Sequence, residues 1–208
     1  PAASNAGVVL TLDSSIQRIV EETGAKLLEK GAVVVMTPDG KIRACASFPS
    51  FSPNDLTASI KDEENKPMFN RAFGSYAVGS TFKISTAASA LESGLLPTLT
   101  YTCKGEIDVK GQIFGCHKHE GHGTLSMSQA MAESCNPYFI SLGLQLDRSR
   151  LLQTAKDLSF SKSYELAPGF FTQAGYLPTL NELYNPADVA NFSFGQGKLM
   201  ATPIQVAT

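Results

Sequence analysis

The chain has 208 residues, 43% of them apolar, with 17 Lys and Arg against 19 Asp and Glu and a formal net charge of −2. That is enough for one large domain or two small lobes around a proper hydrophobic core, and the balanced charge argues against nucleic acid or an anionic membrane surface as partner. No stretch approaches the roughly 20 apolar residues that cross a bilayer, and Pro1 to Asn5 reads as a linker-like edge, so any export signal or anchor is expected outside these residues.

In chain order, Val8 to Leu12 is predicted as a short strand. Asp13 or Ser14 then caps a helix, with Ser14 and Gln17 spaced as a capping box. Its apolar stripe is Ile16, Ile19, Val20, Thr23, Leu27 and Leu28, and Gly31 ends it. Ala32 to Thr37 is a β-branched run, Pro38-Asp39-Gly40 a turn, and Lys41 to Ser47 the returning strand of a hairpin. Phe48 to Asn54 reads as a Pro-rich loop and Lys61 to Lys66 as an exposed charged segment. A helix is predicted from Ser80 to Glu92, ended by Gly94 and Pro97. Thr100 to Phe114 reads as a β-ribbon turning at Lys110-Gly111. Helices follow over Ser126 to Glu133, Pro137 to Leu146 and Arg148 to Asp157. Pro168-Gly169 and Asn185-Pro186 punctuate a loop-rich stretch, and a last helix runs from Thr202 to Ala207 with Pro203 at its first position.

The segment from Gly79 to Leu91 carries no charge after Lys83 and is built mostly of small side chains. A helix without a charged face is a buried one. Ser80 and Lys83 stand three apart at its start, hence on one face. A serine hydroxyl needs a base within hydrogen-bond reach to act as a nucleophile. A lysine drawn out of water beside the positive end of a helix is biased toward its neutral form and can be that base. The same helix end offers backbone N–H groups to a developing oxyanion. Ser159 and Lys162 share the spacing, but no uncharged helix lies behind them.

A second motif, Ser134-Cys135-Asn136, falls at a break between two predicted helices, with Pro137 after it. A hydroxyl and an amide two residues apart on a turn can face one cleft. The first can relay a proton; the second can hold a lysine and a substrate amide. Ser52-Pro53-Asn54 has the same spacing but precedes Ser80 and reads as a turn.

Ser-x-x-Lys followed by Ser-x-Asn resembles penicillin-binding proteins and serine β-lactamases. Leu10 to Asp13 with Ile16-Gln17, Gly31 to Met36, Pro38-Asp39-Gly40, Ala44 to Pro49, Asn70-Arg71-Ala72, Phe194 to Gly197 and Thr202 to Gln205 are similar to the transpeptidase domains of class B penicillin-binding proteins, those of elongation, division or sporulation. The resemblance implies an α+β transpeptidase fold, a helical lobe plus an antiparallel sheet. By it, Ser80 attacks the D-Ala-D-Ala carbonyl of peptidoglycan stem peptides, Lys83 is the general base, Ser134 shuttles protons and Asn136 positions Lys83 and substrate. It implies acylation by β-lactams, cell-wall synthesis proteins as partners, no cofactor and no metal, and a place on the extracytoplasmic face of the bacterial membrane. A β-lactamase, a β-lactam sensor or a non-catalytic scaffold of the wall machinery are the competing readings.

The family usually has proline where this chain has Val78. The third family motif, Lys-Ser/Thr-Gly, occurs nowhere in the chain. The expectation is therefore a partial domain over residues 1–208, with an incomplete sheet, weak or no activity alone, and an open edge for self-association. Cys103, Cys116, His117, His119 and His122 form a His/Cys cluster whose spacing matches no common zinc pattern. The preferred reading is a Cys103–Cys116 disulfide across the ribbon, worth about 3 kcal/mol, with Cys45 a buried thiol and Cys135 one that flanks the motif. Gly195-x-Gly197 lacks the context of a nucleotide loop, and Glu63-Glu64 reads as a solvated surface run.

Overall fold

The computed structural model describes residues 9–208. Pro1 to Asn5 and Val8 lie outside the described residues, and Val9 to Leu12 form no strand. The chain divides into two compact units, one of residues up to Gly74 with 207–208, the other Ser75–Val206. Its helices and its small sheets, all antiparallel pairs, give the expected α+β class.

In the first unit, α1 (Ser14–Leu27) is capped by Asp13, whose carboxylate accepts from the N–H of Ser15 at 2.9 Å and of Ile16 at 3.1 Å. Those bonds take up the first-turn donors, and Gln17 makes no capping box. Its amide instead copies a peptide group: Oε1 accepts from Cys45 N at 2.8 Å and Nε2 donates to Cys45 O at 3.1 Å. The strand it serves belongs to the predicted hairpin, β1 (Gly31–Met36) and β2 (Ile42–Phe48), antiparallel with Val33 opposite Ala46. Gly40, at φ +81°, closes the turn with its N–H on Thr37 O at 2.9 Å. Helix α1 meets β2 through Gly24, where a Cβ would overlap the Phe48 ring. Contact through a small residue leaves the flanks of the predicted stripe uncovered: Ile19 is 63% and Leu27 76% exposed. A short helix not read from the sequence, α2 (Leu56–Lys61), is capped by Asp55, which accepts from Ala58 N at 3.0 Å.

The second unit opens with β3 (Tyr76–Ala77), a 3₁₀ turn over Gly79–Phe82 and α3 (Lys83–Glu92). Four short strands follow, β4 (Tyr101–Cys103), β5 (Glu106–Val109), β6 (Gln112–Gly115) and β7 (Gly123–Leu125). Then come α4 (Met127–Ala132), α5 (Asn136–Leu144), α6 (Arg148–Asp157), the hairpin β8 (Glu165–Ala167) and β9 (Phe170–Phe171), α7 (Pro186–Ser193), β10 (Met200–Ala201) and α8 (Pro203–Ala207).

Two corrections concern this unit. The predicted single ribbon is two ladders. β5 pairs with β6 around Lys110 and Gly111, both at positive φ as a two-residue hairpin requires, whereas β4 leaves at Gly105 (φ +94°) and pairs with β7. Asn185-Pro186, read as loop punctuation, starts α7: proline at the first helical position removes an N–H that the helix has no use for.

The uncharged helix is buried as expected, through Lys83, Ser85, Thr86, Ala87, Ser89 and Ala90. It ends where Gly94 (φ +82°) lets Leu95 N reach Ala90 O at 3.0 Å. Beneath it, the Phe82 ring meets the edges of Phe192 and Phe160 at 4.7 and 5.1 Å, in a core with Tyr138, Phe139, Leu142, Leu151 and Leu199. Thr86 Oγ1 donates to Ser193 O at 2.8 Å, and Gly143 lies so close to Ser193 that a Cβ would overlap its hydroxyl. Small and hydroxylated residues thus let α3, α5 and α7 approach closely, with the hydroxyls of Thr86 and Ser193 paired to backbone carbonyls. Gly143→Ala is expected to destabilise the fold by about 1–3 kcal/mol, an overpacking cost, with Ser193→Gly partly restoring it; urea unfolding measures both.

Candidate active site

The turn that carries Ser80 depends on two glycines. Gly79 (φ +66°) donates its N–H to Gly195 O at 2.8 Å, and a Cβ on Gly195 (φ +82°) would overlap the Gly79 backbone. Ser80 follows, exposed, in the 3₁₀ turn, and Lys83 opens α3 with 1% of its surface exposed.

Lys83 Nζ lies 3.1 Å from Ser80 Oγ, 2.6 Å from Ser134 O, 2.9 Å from Ser134 Oγ and 2.7 Å from Asn136 Oδ1. The Phe139 ring centre is 5.7 Å away. Burial pushes the amine down to about 8. Protonation state then fixes the roles. The Ser134 carbonyl and the Asn136 amide oxygen can only accept, so they claim both hydrogens of a neutral amine. Its lone pair is left to the hydroxyls of Ser80 and Ser134, so the amine is set to take a proton from Ser80.

Ser134 reaches the lysine with two atoms because of its backbone. It has φ +50°, the left-handed region, just past the end of α4, where Ser134 N bonds Met131 O at 3.1 Å and Cys135 N bonds Ala130 O at 2.9 Å. That is the helix stop usually made by glycine. A non-glycine residue there costs about 1–2 kcal/mol, offset here by the two bonds from Lys83. Asn136 is the first residue of α5. Its Nδ2 donates to Gly115 O at 3.3 Å, which fixes which end of the amide faces the lysine.

The sequence matches the family model described as penicillin binding protein transpeptidase domain over residues 31–208. The chain belongs to this family. It is 33% identical over 216 residues to stage V sporulation protein D of Bacillus subtilis, covering 99% of this chain and 32% of that protein. It is 29% identical to peptidoglycan D,D-transpeptidase MrdA of Acinetobacter baumannii, covering 95% and 32%. Penicillin-binding protein A of M. tuberculosis, solved as a penicillin G acyl-enzyme complex, superposes with TM-score 0.82 at 27% identity, covering 94% of this chain and 49% of that one. The chain thus spans about a third of the length of these curated relatives.

Within this transpeptidase domain, the four residues singled out from sequence come together. The look-alike motifs do not: Lys162 is exposed over the Tyr164 ring, and Ser52 lies in a loop against Ser59. Gly195 and Gly115, whose carbonyls hold Gly79 and Asn136, were not recognised as part of the site; the glycine of Phe194-Gly195-Gln196-Gly197 was the signal for the first.

The cysteines require a correction. All four are free, and no Cys103–Cys116 disulfide forms. Cys116 Sγ faces His122 Nδ1 at 3.5 Å, and Cys103 is hydrogen-bonded to both Cys116 and Cys135. Cys45, expected buried, is half-buried in β2.

Asn136→Asp places a carboxylate 2.7 Å from the Lys83 amine, which favours the ammonium. In ¹³C NMR titrations, one lysine is expected to titrate at about 8 in the native protein and clearly higher in Asn136→Asp. A lysine unmoved by the substitution would contradict the geometry.

Proposed function

We propose that this chain performs the acyl transfer of a peptidoglycan D,D-transpeptidase, with Ser80 as nucleophile, Lys83 as general base, Ser134 as proton relay and Asn136 as the residue that orients Lys83 and the substrate backbone. The observation that carries the reading is the buried Lys83 amine, within hydrogen-bond reach of Ser80, Ser134 and Asn136 at once. The names of the relatives and the acyl-enzyme form of the M. tuberculosis protein support it.

As Ser80 Oγ bonds to the penultimate D-Ala carbonyl carbon, its proton passes to Lys83 Nζ. The tetrahedral intermediate collapses when that proton, relayed through Ser134 Oγ, reaches the leaving amine of the terminal D-Ala. An amine on a neighbouring stem peptide then attacks the Ser80 ester, giving up its proton by the reverse route. A β-lactam offers the same amide but keeps its leaving amine tethered, so the ester persists.

The substrate places this chemistry on the extracytoplasmic face, among other cell-wall synthesis proteins. Among the described residues, no helix is long and apolar enough to cross a membrane. Nothing in the sequence supplies the Lys-Ser/Thr-Gly cation that binds the substrate carboxylate, so acylation by the chain alone is slow on this reading, and residues 1–208 act as part of a transpeptidase domain. The outer edge of β1 is where a further strand, or a second copy, would pair.

Incubation with a fluorescent penicillin is expected to label Ser80 slowly and Ser80→Ala not at all. Below pH about 8 the rate rises about tenfold per unit, as the neutral amine does, and levels off above it. Lys83→Met should lose about 10²–10⁴-fold. Labelling that survives Ser80→Ala, or a rate indifferent to pH between 6 and 9, the assay range bracketing the lysine, would sink the assignment.

A further inference from the structure

We propose that Gln205 is a positioning residue for Ser80: its side-chain amide fastens the two segments that brace the Ser80 turn, one on each side. The inference rests on the acyl-transfer reading and adds to it a residue that acts through others.

Gln205 is 3% exposed and stands third in the short helix α8. Its Oε1 accepts from Thr202 N at 2.7 Å, and Thr202 Oγ1 accepts from Gln205 N at 3.1 Å, a reciprocal cap at the helix start. Glutamate would serve that cap as well as glutamine does. The difference lies in the donors. Nε2 gives both of its hydrogens to carbonyls outside the helix, Lys162 O and Ala174 O, each at 2.8 Å. A carboxylate has no hydrogen to give, so only the amide meets all three partners.

Each carbonyl leads to one side of the Ser80 turn. Ala174 begins a segment that lies beside β10. Tyr176 and Met200 exchange both backbone bonds, at 2.8 and 2.9 Å, and a Cβ on Gly175 (φ +69°) would overlap Met200 O. The other edge of β10 pairs with β3, Met200 opposite Ala77, and Ala77 stands three residues before Ser80. Lys162 lies in the loop after α6, two residues beyond Phe160, whose ring meets the Phe82 ring at 5.1 Å. Phe82 is buried and ends the 3₁₀ turn that carries Ser80. A strand before the serine and a ring after it thus both trace back to one amide. The other partners of the Lys83 amine hang on different elements, Ser134 just past α4 and Asn136 at the start of α5. Loss of the Gln205 donors therefore shifts Ser80 against a lysine that stays in place.

The test is Gln205→Glu, which keeps the cap and the shape and removes both donors at neutral pH. By NMR, hydrogen exchange is expected to rise at Gly79, Tyr176 and Met200, whose N–H groups are bonded across these segments, while the Lys83 amine still titrates at about 8. With fluorescent penicillin, the limiting acylation rate is expected to fall about 10–10²-fold and the half-saturating concentration to stay unchanged, at a temperature where both proteins are fully folded. In the unsubstituted protein, the Gln205 side-chain NH₂ is expected to exchange slowly, a readout that holds even where the variant fails to fold. Fast exchange of that NH₂ would overturn the proposal. A labelled wild type with an equally labelled Gln205→Glu overturns this inference alone, whereas a wild type that takes no label overturns the acyl-transfer reading with it.

Discussion

The site rests on a single buried amine. Withdrawing Lys83 from water removes the hydration that makes ammonium the default, and the protein returns hydrogen bonds selectively rather than in bulk. Two partners, Ser134 O and Asn136 Oδ1, can only accept, and two are hydroxyls. A cage of carbonyls would have favoured the cation, and a wholly apolar pocket would have left N–H groups unsatisfied at a cost of about 1–3 kcal/mol each. The mixture holds the amine in place in either protonation state, which a group that takes and returns a proton requires. The strained backbone of Ser134 follows from this need, because only a left-handed residue at that helix stop brings both its carbonyl and its hydroxyl to one nitrogen.

Each partner arrives on a different element, and each element is tied elsewhere. Ser80 rides on a turn held by Gly195. Ser134 closes α4, Asn136 opens α5, and its amide is held by β6 through Gly115. The packing of α3 against α5 and α7 through Thr86, Ser193 and Gly143 sets the lysine's depth.

The sequence made the local parts of this legible. A run of thirteen residues with one internal charge before its end announced a buried helix, and Ser-x-x-Lys at its start fixed two side chains by helical periodicity alone. Ser134 and Asn136 were legible because a helix break must expose its turn. What failed was non-local. Gln17 had the right spacing for a capping box, but Asp13 was the better acceptor, and the open edge of β2 at Cys45 claimed the glutamine. The ribbon was read as one ladder because nothing local says that β4 prefers β7, whose residues lie a whole hairpin further along the chain. Helix α7 hid behind a proline read as a breaker when its position made it a start.

The cysteine cluster failed for the same reason. Searching the ribbon for its own ligands supplied two cysteines and three histidines in an order that fits no zinc pattern. The fourth member of the cluster, Cys135, lay inside the Ser134-Cys135-Asn136 motif and had been accounted for as its neighbour. Its place is the informative point. Along Ser134-Cys135-Asn136, the outer residues turn to Lys83 and the middle one to the cluster. On the facing strand, Gly115 holds the Asn136 amide while Cys116, the next residue, joins the cluster. The two segments that hold the Lys83 amine are thus the two that meet in the cluster, one residue away from the bonds that orient it. A disulfide between Cys103 and Cys116 would have fastened the ribbon to itself and left Cys135 loose. The hydrogen bonds of Cys103 to Cys116 and Cys135 tie the ribbon to the Ser134–Asn136 turn, beside the 3.3 Å bond that the Asn136 amide makes to Gly115.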